Sequence, residues 1–267
     1  MRIFINEREA KVVPGSLAGA VRDLLKPGAD IIVVNGFPAG ADTPLREGDR
    51  VVLIKRGEIP PSHELEALLA ARHTPGIYAK LKKARVGIAG LGGLGSHAAT
   101  ALVRVGVGQL VLADFDVVEP SNLGRQAYYA DQIGLEKTEA LSRNLQRINP
   151  YANLTLHTAR IDCDNAARLF AGCDVVIEAL DRAEEKTMLI EALLSALPSA
   201  EIIAASGLAG HGTSETIRVH KLGKRLYVVG DLESEARPFM GLMAPRVGVA
   251  AHIQANLAVR LLLGEEY

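Results

Sequence analysis

Residues 86–96 read Val-Gly-Ile-Ala-Gly-Leu-Gly-Gly-Leu-Gly-Ser. A short apolar run ends in Gly90, Gly92, Gly93 and Gly95, and a helical pattern continues to Arg104. A strand that ends in glycines and opens a helix aims backbone N–H groups at a phosphate. Gly90 suits the tight turn, Gly92 lets a ligand approach the backbone, and Gly95 allows helix and strand to pack closely. A second apolar run, residues 109–113, ends in Asp114. That acid falls about 20 residues after the last glycine, where such folds place a ribose-binding carboxylate. Strand, glycine turn, helix, strand and acid together predict an α/β fold that binds a nucleotide.

Downstream, residues 114–126 carry Asp114, Asp116, Ser121, Asn122, Arg125 and Gln126. Asn122 offers an amide and Arg125 a planar donor fork suited to phosphate oxygens. Lys137 opens a predicted helix that runs to about Ile148, where it can act as a point charge on a phosphate. The buried-strand pattern at residues 174–180 ends in Asp181. In an open α/β sheet that carboxylate lies at the ligand edge, where it can hold magnesium or cap the helix over residues 183–197. Further strands are expected at 153–158 and 201–206, a hairpin at 216–229, and a last helix with Val249, Ile253, Leu257 and Leu261 on one face.

Upstream, residues 2–10 alternate apolar and polar side chains and read as one strand, with 11–13 as its hairpin partner. Pro14-Gly15 marks a turn and Ser16 a helix cap. Leu17, Ala20, Val21, Leu24 and Leu25 form a helical stripe. Strands follow at 30–35 and at about 45–54, so two strands, one helix and two strands make a small grasp-like sheet ending near Gly57. Ile59-Pro60-Pro61-Ser62 marks a boundary. The expected organisation is a small domain at 1–57, a linker helix at 58–76 and the nucleotide domain at 77–267. With 267 residues, 48% of them apolar, the chain supports a substantial core, and its net charge of −1 gives no general attraction for nucleic acid or membranes. No apolar run reaches transmembrane length and the N-terminus lacks a signal-peptide pattern, so a cytoplasmic protein is expected. Two cysteines, Cys163 and Cys173, form neither a zinc motif nor a disulfide framework.

Residues 1–57 resemble the ubiquitin-like sulfur carriers of thiamine and molybdopterin synthesis. Those carriers act through a free Gly-Gly end. Here Gly57 is followed by Glu58 and the chain continues, which favours a docking, regulatory or vestigial role for this domain, with cleavage after Gly57 as the alternative. From Ile77 to Leu263 the glycine turn, the Asp114/Asp116 pair, the Ser121–Gln126 block, Lys137 and Asp181 resemble the ThiF/MoeB/HesA family, relatives of the ubiquitin-activating enzymes. The fold implied is a Rossmann-like, mainly parallel sheet with helices on both faces, preceded by the small ubiquitin-like β-grasp domain. The activity implied is ATP-dependent adenylation of the C-terminal glycine carboxylate of a separate sulfur carrier, here in thiamine thiazole synthesis.

By the same resemblance Gly90, Gly92, Gly93 and Gly95 border the nucleotide, Asp114 takes the ribose, and Asp116 belongs to the same site. Asn122, Arg125 and Lys137 contact the phosphates, Gln126 supports them, and Asp181 positions Mg2+. Family members borrow an arginine from a neighbouring subunit in a homodimer, and Arg72 matches it by position. Many relatives carry paired Cys-x-x-Cys motifs for zinc; this sequence has none, so no zinc and no assigned thiol step are expected. Three rival readings differ in testable ways. A nicotinamide oxidoreductase leaves the Asn–Arg–Gln block unexplained, an ATP-dependent dehydratase of a modified tRNA base shares the family fold, and a regulatory protein would bind ATP or a carrier without turnover.

Overall fold

The computed structural model describes residues 1–71, 73–235 and 237–265. It divides into two compact units, residues 1–74 and residues 75 onward.

In the first unit β1 (Arg2–Ile5) and β2 (Arg8–Lys11) form a hairpin, α1 (Ala18–Leu25) follows, and β3 (Ile31–Val34), β4 (Phe37–Ala39) and β5 (Arg50–Ile54) complete a sheet of order β2-β1-β5-β3-β4. Strand β1 runs parallel to β5 and the other pairs are antiparallel. Ile3, Val21, Ile32, Leu45, Val51 and Leu53 fill its core.

Five details differ from the sequence reading. Residues 2–10 are two strands, because Asn6 and Glu7 take left-handed conformations (φ 47° and 66°) and turn the chain between Ile5 and Arg8. The polar run Asn6-Glu7-Arg8-Glu9 marks this turn, and reading 2–10 as one alternating strand overlooks it. A fifth strand, β4, returns after Asn35-Gly36, another left-handed pair (φ 51° and 88°). The cap position of α1 is Leu17, without a side-chain bond; the Ser16 hydroxyl donates to Val13 O at 2.7 Å. Gly19 packs against Ala41, where a Cβ would come within 2.7 Å, so Leu24 faces outward although it belongs to the apolar stripe. Finally, α2 (Ser62–Ala70) lies within the first unit. Glu64 accepts from the buried Asn6 side chain at 2.5 Å and pairs with Lys26 at 3.2 Å, so the unit boundary falls after residue 74.

The second unit opens with α3 (Ile77–Leu81) and alternates β6 (Arg85–Ala89), α4 (Gly93–Val105), β7 (Gln109–Asp114), α5 (Lys137–Ile148), β8 (Asn153–Thr158), α6 (Ala166–Leu169), β9 (Val175–Glu178), α7 (Ala183–Ala196) and β10 (Glu201–Ala205). The hairpin β11 (Arg218–Lys221) and β12 (Leu226–Gly230) and the helix α8 (Ala244–Leu262) finish it. The seven-stranded sheet has the order β11-β12-β10-β9-β6-β7-β8 and is parallel except at the β11 edge. Alternate residues of each strand feed two cores. Val86, Ile88, Leu110 and Leu112 pack with α4, α5 and α8, and Ala89, Val111 and Val176 pack with Phe170, Leu189 and Leu193. After β6 the chain moves outward to β7 and β8, then crosses back to β9 and β10. The strand ends of β6 and β9 are therefore a topological switch point, where a crevice opens.

Candidate functional site

Two loops meet at that switch point: Gly90–Gly92 after β6 and Ala179–Asp181 after β9. Gly90 has φ 90°, and a Cβ there would lie 2.6 Å from Ala179 O. At Gly95 a Cβ would lie 1.9 Å from Gly90 O, so α4 starts as close to the turn as backbone allows. Gly92 is different: its Cβ would meet only Gln126 Nε2, at 3.8 Å, and otherwise project into open space. This contrast carries a prediction. Gly95→Ala forces the turn open and is expected to cost about 2–3 kcal/mol of stability along with any nucleotide affinity. Gly92→Ala should leave the thermal midpoint unchanged and still weaken nucleotide binding. Thermal melts and calorimetry on both variants check it.

A cavity of about 310 Å³ opens beside the turn, lined by Gly90, Gly92, Asp114, Asp116, Lys137 and Asp181 among others. Asp114 is 7% exposed, and each carboxylate oxygen accepts a backbone N–H, from Leu91 at 2.6 Å and from Asp116 at 2.8 Å. Burial pushes its pKa up, against those two bonds and the Lys137 charge. Asp114 thus clamps the glycine turn while its remaining lone pairs stay available to a ligand hydroxyl. Lys137 is buried at the first residue of α5 and donates to Asp116 at 2.8 Å. Phe115, Arg160 and Glu185 form the outer wall; Arg160 lies 5.6 Å from the Phe115 ring centroid and bonds Glu185 at 2.6 Å.

A second cavity of about 150 Å³ adjoins the first, and both share the 179–181 wall. Gly93, Arg125, Lys186, Gly207 and Ser234 line it. Arg125 and Lys137, read together from the sequence as phosphate ligands, therefore line different chambers, with Asp181 bordering both. Asp181 is exposed and makes no hydrogen bond or ion pair among the described residues. Asn122 lies in neither lining; its side chain caps the local 3-10 turn, accepting from Glu119 N at 3.1 Å. Gln126 is buried beside Gly92 with its Oε1 unpartnered. Arg72 lies outside the described residues.

The far wall of the second cavity is fastened by Arg246, near the start of α8. Its guanidinium donates to Gly212 O, Thr213 O and Thr216 Oγ1, and to Asp231 at 2.6 Å. Asp231 in turn accepts from Glu233 N and Ser234 N. Burial raises the Asp231 pKa, but the Ser234 hydroxyl and N–H, the Glu233 N–H and Arg246 outweigh it and bring it down to about 2. A depressed carboxyl stabilises the fold above its unfolded pKa near 4, and that contribution is lost as pH falls towards about 2. Wild type should therefore exceed Asp231→Asn by about 2 kcal/mol at pH 6, with the gap narrowing between pH 5 and pH 3. Urea unfolding across that range measures it.

Two site residues escaped sequence reading. Glu178, within the apolar run of β9, is 0% exposed. It accepts from Leu180 N at 2.7 Å and binds Lys186 Nζ through both oxygens, at 2.9 and 3.0 Å. An acid inside an otherwise apolar strand was the available signal. Of the two cysteines, Cys163 is exposed and Cys173 buried; burial pushes the Cys173 thiol up to about 11, which keeps it protonated and unreactive. No group of three or more His, Cys, Asp or Glu side chains among the described residues could hold a metal, and no helix among them is long and apolar enough to cross a membrane.

A parallel doubly wound sheet with a glycine turn and an acid-lined crevice at its switch point defines the class of nucleotide-binding α/β domains. More particularly, the chain belongs to the ThiF family, which it matches over residues 66–267, and residues 1–57 match a ThiS-like ubiquitin family. It is 37% identical over 187 residues to a molybdopterin-synthase adenylyltransferase of Salmonella typhimurium, covering 68% of this chain and 74% of that protein. A Candida glabrata adenylyltransferase and sulfurtransferase, UBA4, is 26% identical over 196 residues, which span 69% of this chain and 44% of UBA4. Among solved structures, the E. coli tRNA N6-threonylcarbamoyladenosine dehydratase TcdA with ATP superimposes with a TM-score of 0.67 at 23% identity, covering 73% of this chain and 92% of TcdA. That likeness extends to the fold.

Proposed function

We propose that this protein is an ATP-dependent adenylyltransferase that activates the C-terminal glycine carboxylate of a separate ubiquitin-like sulfur carrier, of the ThiS type used in thiamine thiazole synthesis. The observation that carries this reading is the pair of adjoining cavities with a common wall at 179–181. One chamber has the glycine turn, Asp114 and Lys137 and suits ATP. The other has two cations and a lining rich in glycine and alanine, and suits a thin anionic chain end. ThiF-family membership and the adenylyltransferase relatives support the same assignment, and the ThiS-like first unit supports a thiamine carrier over other acceptors.

The acceptor carboxylate is already ionised near pH 7, so no base is required to create the nucleophile. One carboxylate oxygen forms a bond to the α-phosphorus, the bond from that phosphorus to the bridging oxygen breaks, and pyrophosphate leaves with the electron pair. The obstacle is bringing an anion to a polyanion. Lys137 on the ATP side and Arg125 on the acceptor side neutralise that charge, and the backbone N–H groups at the start of α4 face the seam. Among the described residues, Asp181 is the one acidic side chain lining the ATP chamber without a protein partner. A single free carboxylate suits Mg2+, which takes most of its remaining oxygen ligands from phosphate and water. Bound there, the metal would supply Lewis-acid stabilisation of phosphate charge.

Because the chain continues past Gly57, the first unit has no free carboxylate to activate, and it serves as a docking or regulatory module in this reading. The working assembly is a homodimer.

ATP–pyrophosphate exchange tests the reading. Purified protein with magnesium should exchange label only when a carrier ending in Gly-Gly is added. Exchange without a carrier would make the substrate internal. Tight ATP binding with no exchange for any carrier would overturn the assignment in favour of the dehydratase or the regulatory reading.

A further inference from the structure

The Glu178–Lys186 pair has no part in the chemistry described above. Glu178 sits at the end of β9, wholly buried, and its carboxylate is tied to Leu180 N within the wall that both cavities share. A buried carboxylate is costly, and a pair of well-packed apolar side chains would serve stability as well or better. Its partner, however, is not buried with it. The Lys186 side chain is 22% exposed and lines the second cavity, but not the first. An ammonium has three donors. Glu178 accepts two of them, at 2.9 and 3.0 Å, which leaves one.

We propose that Lys186 contacts the terminal carboxylate of the acceptor in the second cavity, and that Glu178 is the positioning residue that aims it. This rests on the reading of the protein as a carrier adenylyltransferase. The chamber favours such a ligand on both charge and shape. Arg125 and Lys186 supply two cations against the single free carboxylate of Asp181. Gly93, Ala179, Ala205, Gly207 and Ala209 share the lining with Leu94, Leu180, Leu208, Leu242 and Val247, and a chamber of about 150 Å³ suits a chain end that carries no side chain. A lysine held at two donors by a fixed carboxylate loses little further freedom when a third bond forms, so preorganisation favours binding. Glu178 also restrains the ammonium, so Lys186 discriminates a carboxylate from a neutral end without capturing the ATP phosphates across the wall.

The test uses the full-length protein with a non-hydrolysable ATP analogue and two forms of a ten-residue peptide ending in Gly-Gly, one a free acid and one an amide. Wild type is expected to bind the acid at least fivefold more tightly than the amide. Lys186→Met should bring that ratio close to one with ATP affinity unchanged within twofold, and Lys186→Arg should restore most of the preference. Because Lys186→Met orphans a buried carboxylate, the double variant Glu178→Gln/Lys186→Met, which removes both charges, serves as the folded control and should show the same lost preference. A preference retained in both methionine variants overturns the proposal. So does a loss of ATP affinity equal to the loss of peptide affinity, which would mean the pair only supports the shared wall. Failure of the adenylyltransferase reading appears separately, as wild-type protein that gives no carrier-dependent pyrophosphate exchange.

Discussion

Asp181→Ala is expected to lower carrier-dependent pyrophosphate exchange by about 100- to 1000-fold, or about 2.7–4 kcal/mol of transition-state stabilisation, with the thermal midpoint unchanged. Both halves follow from its surroundings. Asp181 is exposed and has no partner among the described residues, so its removal breaks nothing that holds the fold together. Yet it stands on the wall that both cavities share, where charge on the reacting phosphate must be balanced. Steady-state exchange and a thermal melt on one preparation check the claim. Near-normal turnover would remove Asp181 from the reaction, and a large drop in melting temperature would make it a structural residue instead.

Lys137→Met should separate stability from function still further. Lys137 is 5% exposed at the first residue of α5, where its charge opposes the positive end of the helix dipole by about 0.3–1 kcal/mol. Asp116 offsets this in the folded protein, and its side chain is 46% exposed, so it returns to water when the lysine is lost. Lys137 also offsets part of the burial cost of Asp114, so stability is expected to fall, by no more than about 1 kcal/mol. ATP affinity should fall by about 10- to 100-fold, the value of a charged hydrogen bond to phosphate. Calorimetric titration with Mg-ATP beside a urea melt decides it; unchanged ATP affinity would confine Lys137 to its pair with Asp116.

These two candidates stand out in the sequence because their chemistry is local in the chain. Lys137 follows the Asn122–Gln126 block and begins a helix; Asp181 ends an apolar strand. Their neighbours show where such reading stops. Arg125 and Lys137 are close in sequence and carry the same charge, but the turn after β7 sends them to different chambers. Asn122 carries a polar amide suited to phosphate, and the turn itself uses that amide as a cap. In the first unit a polar run at residues 6–9 breaks the strand read over 2–10, and the left-handed backbone at Asn6 and Glu7 makes that break a reversal. Glu178 lies in a segment read for its apolar pattern and Lys186 in a helix read only from its possible cap, and their pairing depends on how α7 returns over β9.

The sequence by itself determined the strand–glycine turn–helix unit, the alternation that makes a parallel sheet, and the acid at the end of each key strand, since each is written in neighbouring residues and short-range sterics. Tertiary structure alone decided that β9 lies beside β6, and so that Ala179–Asp181 faces Gly90–Gly92 across a crevice. It alone also divided that crevice in two. The physical reason is that a parallel sheet joins strands separated by some ninety residues through crossovers whose order leaves no trace in local pattern, while a site at a switch point is assembled from the ends of those strands.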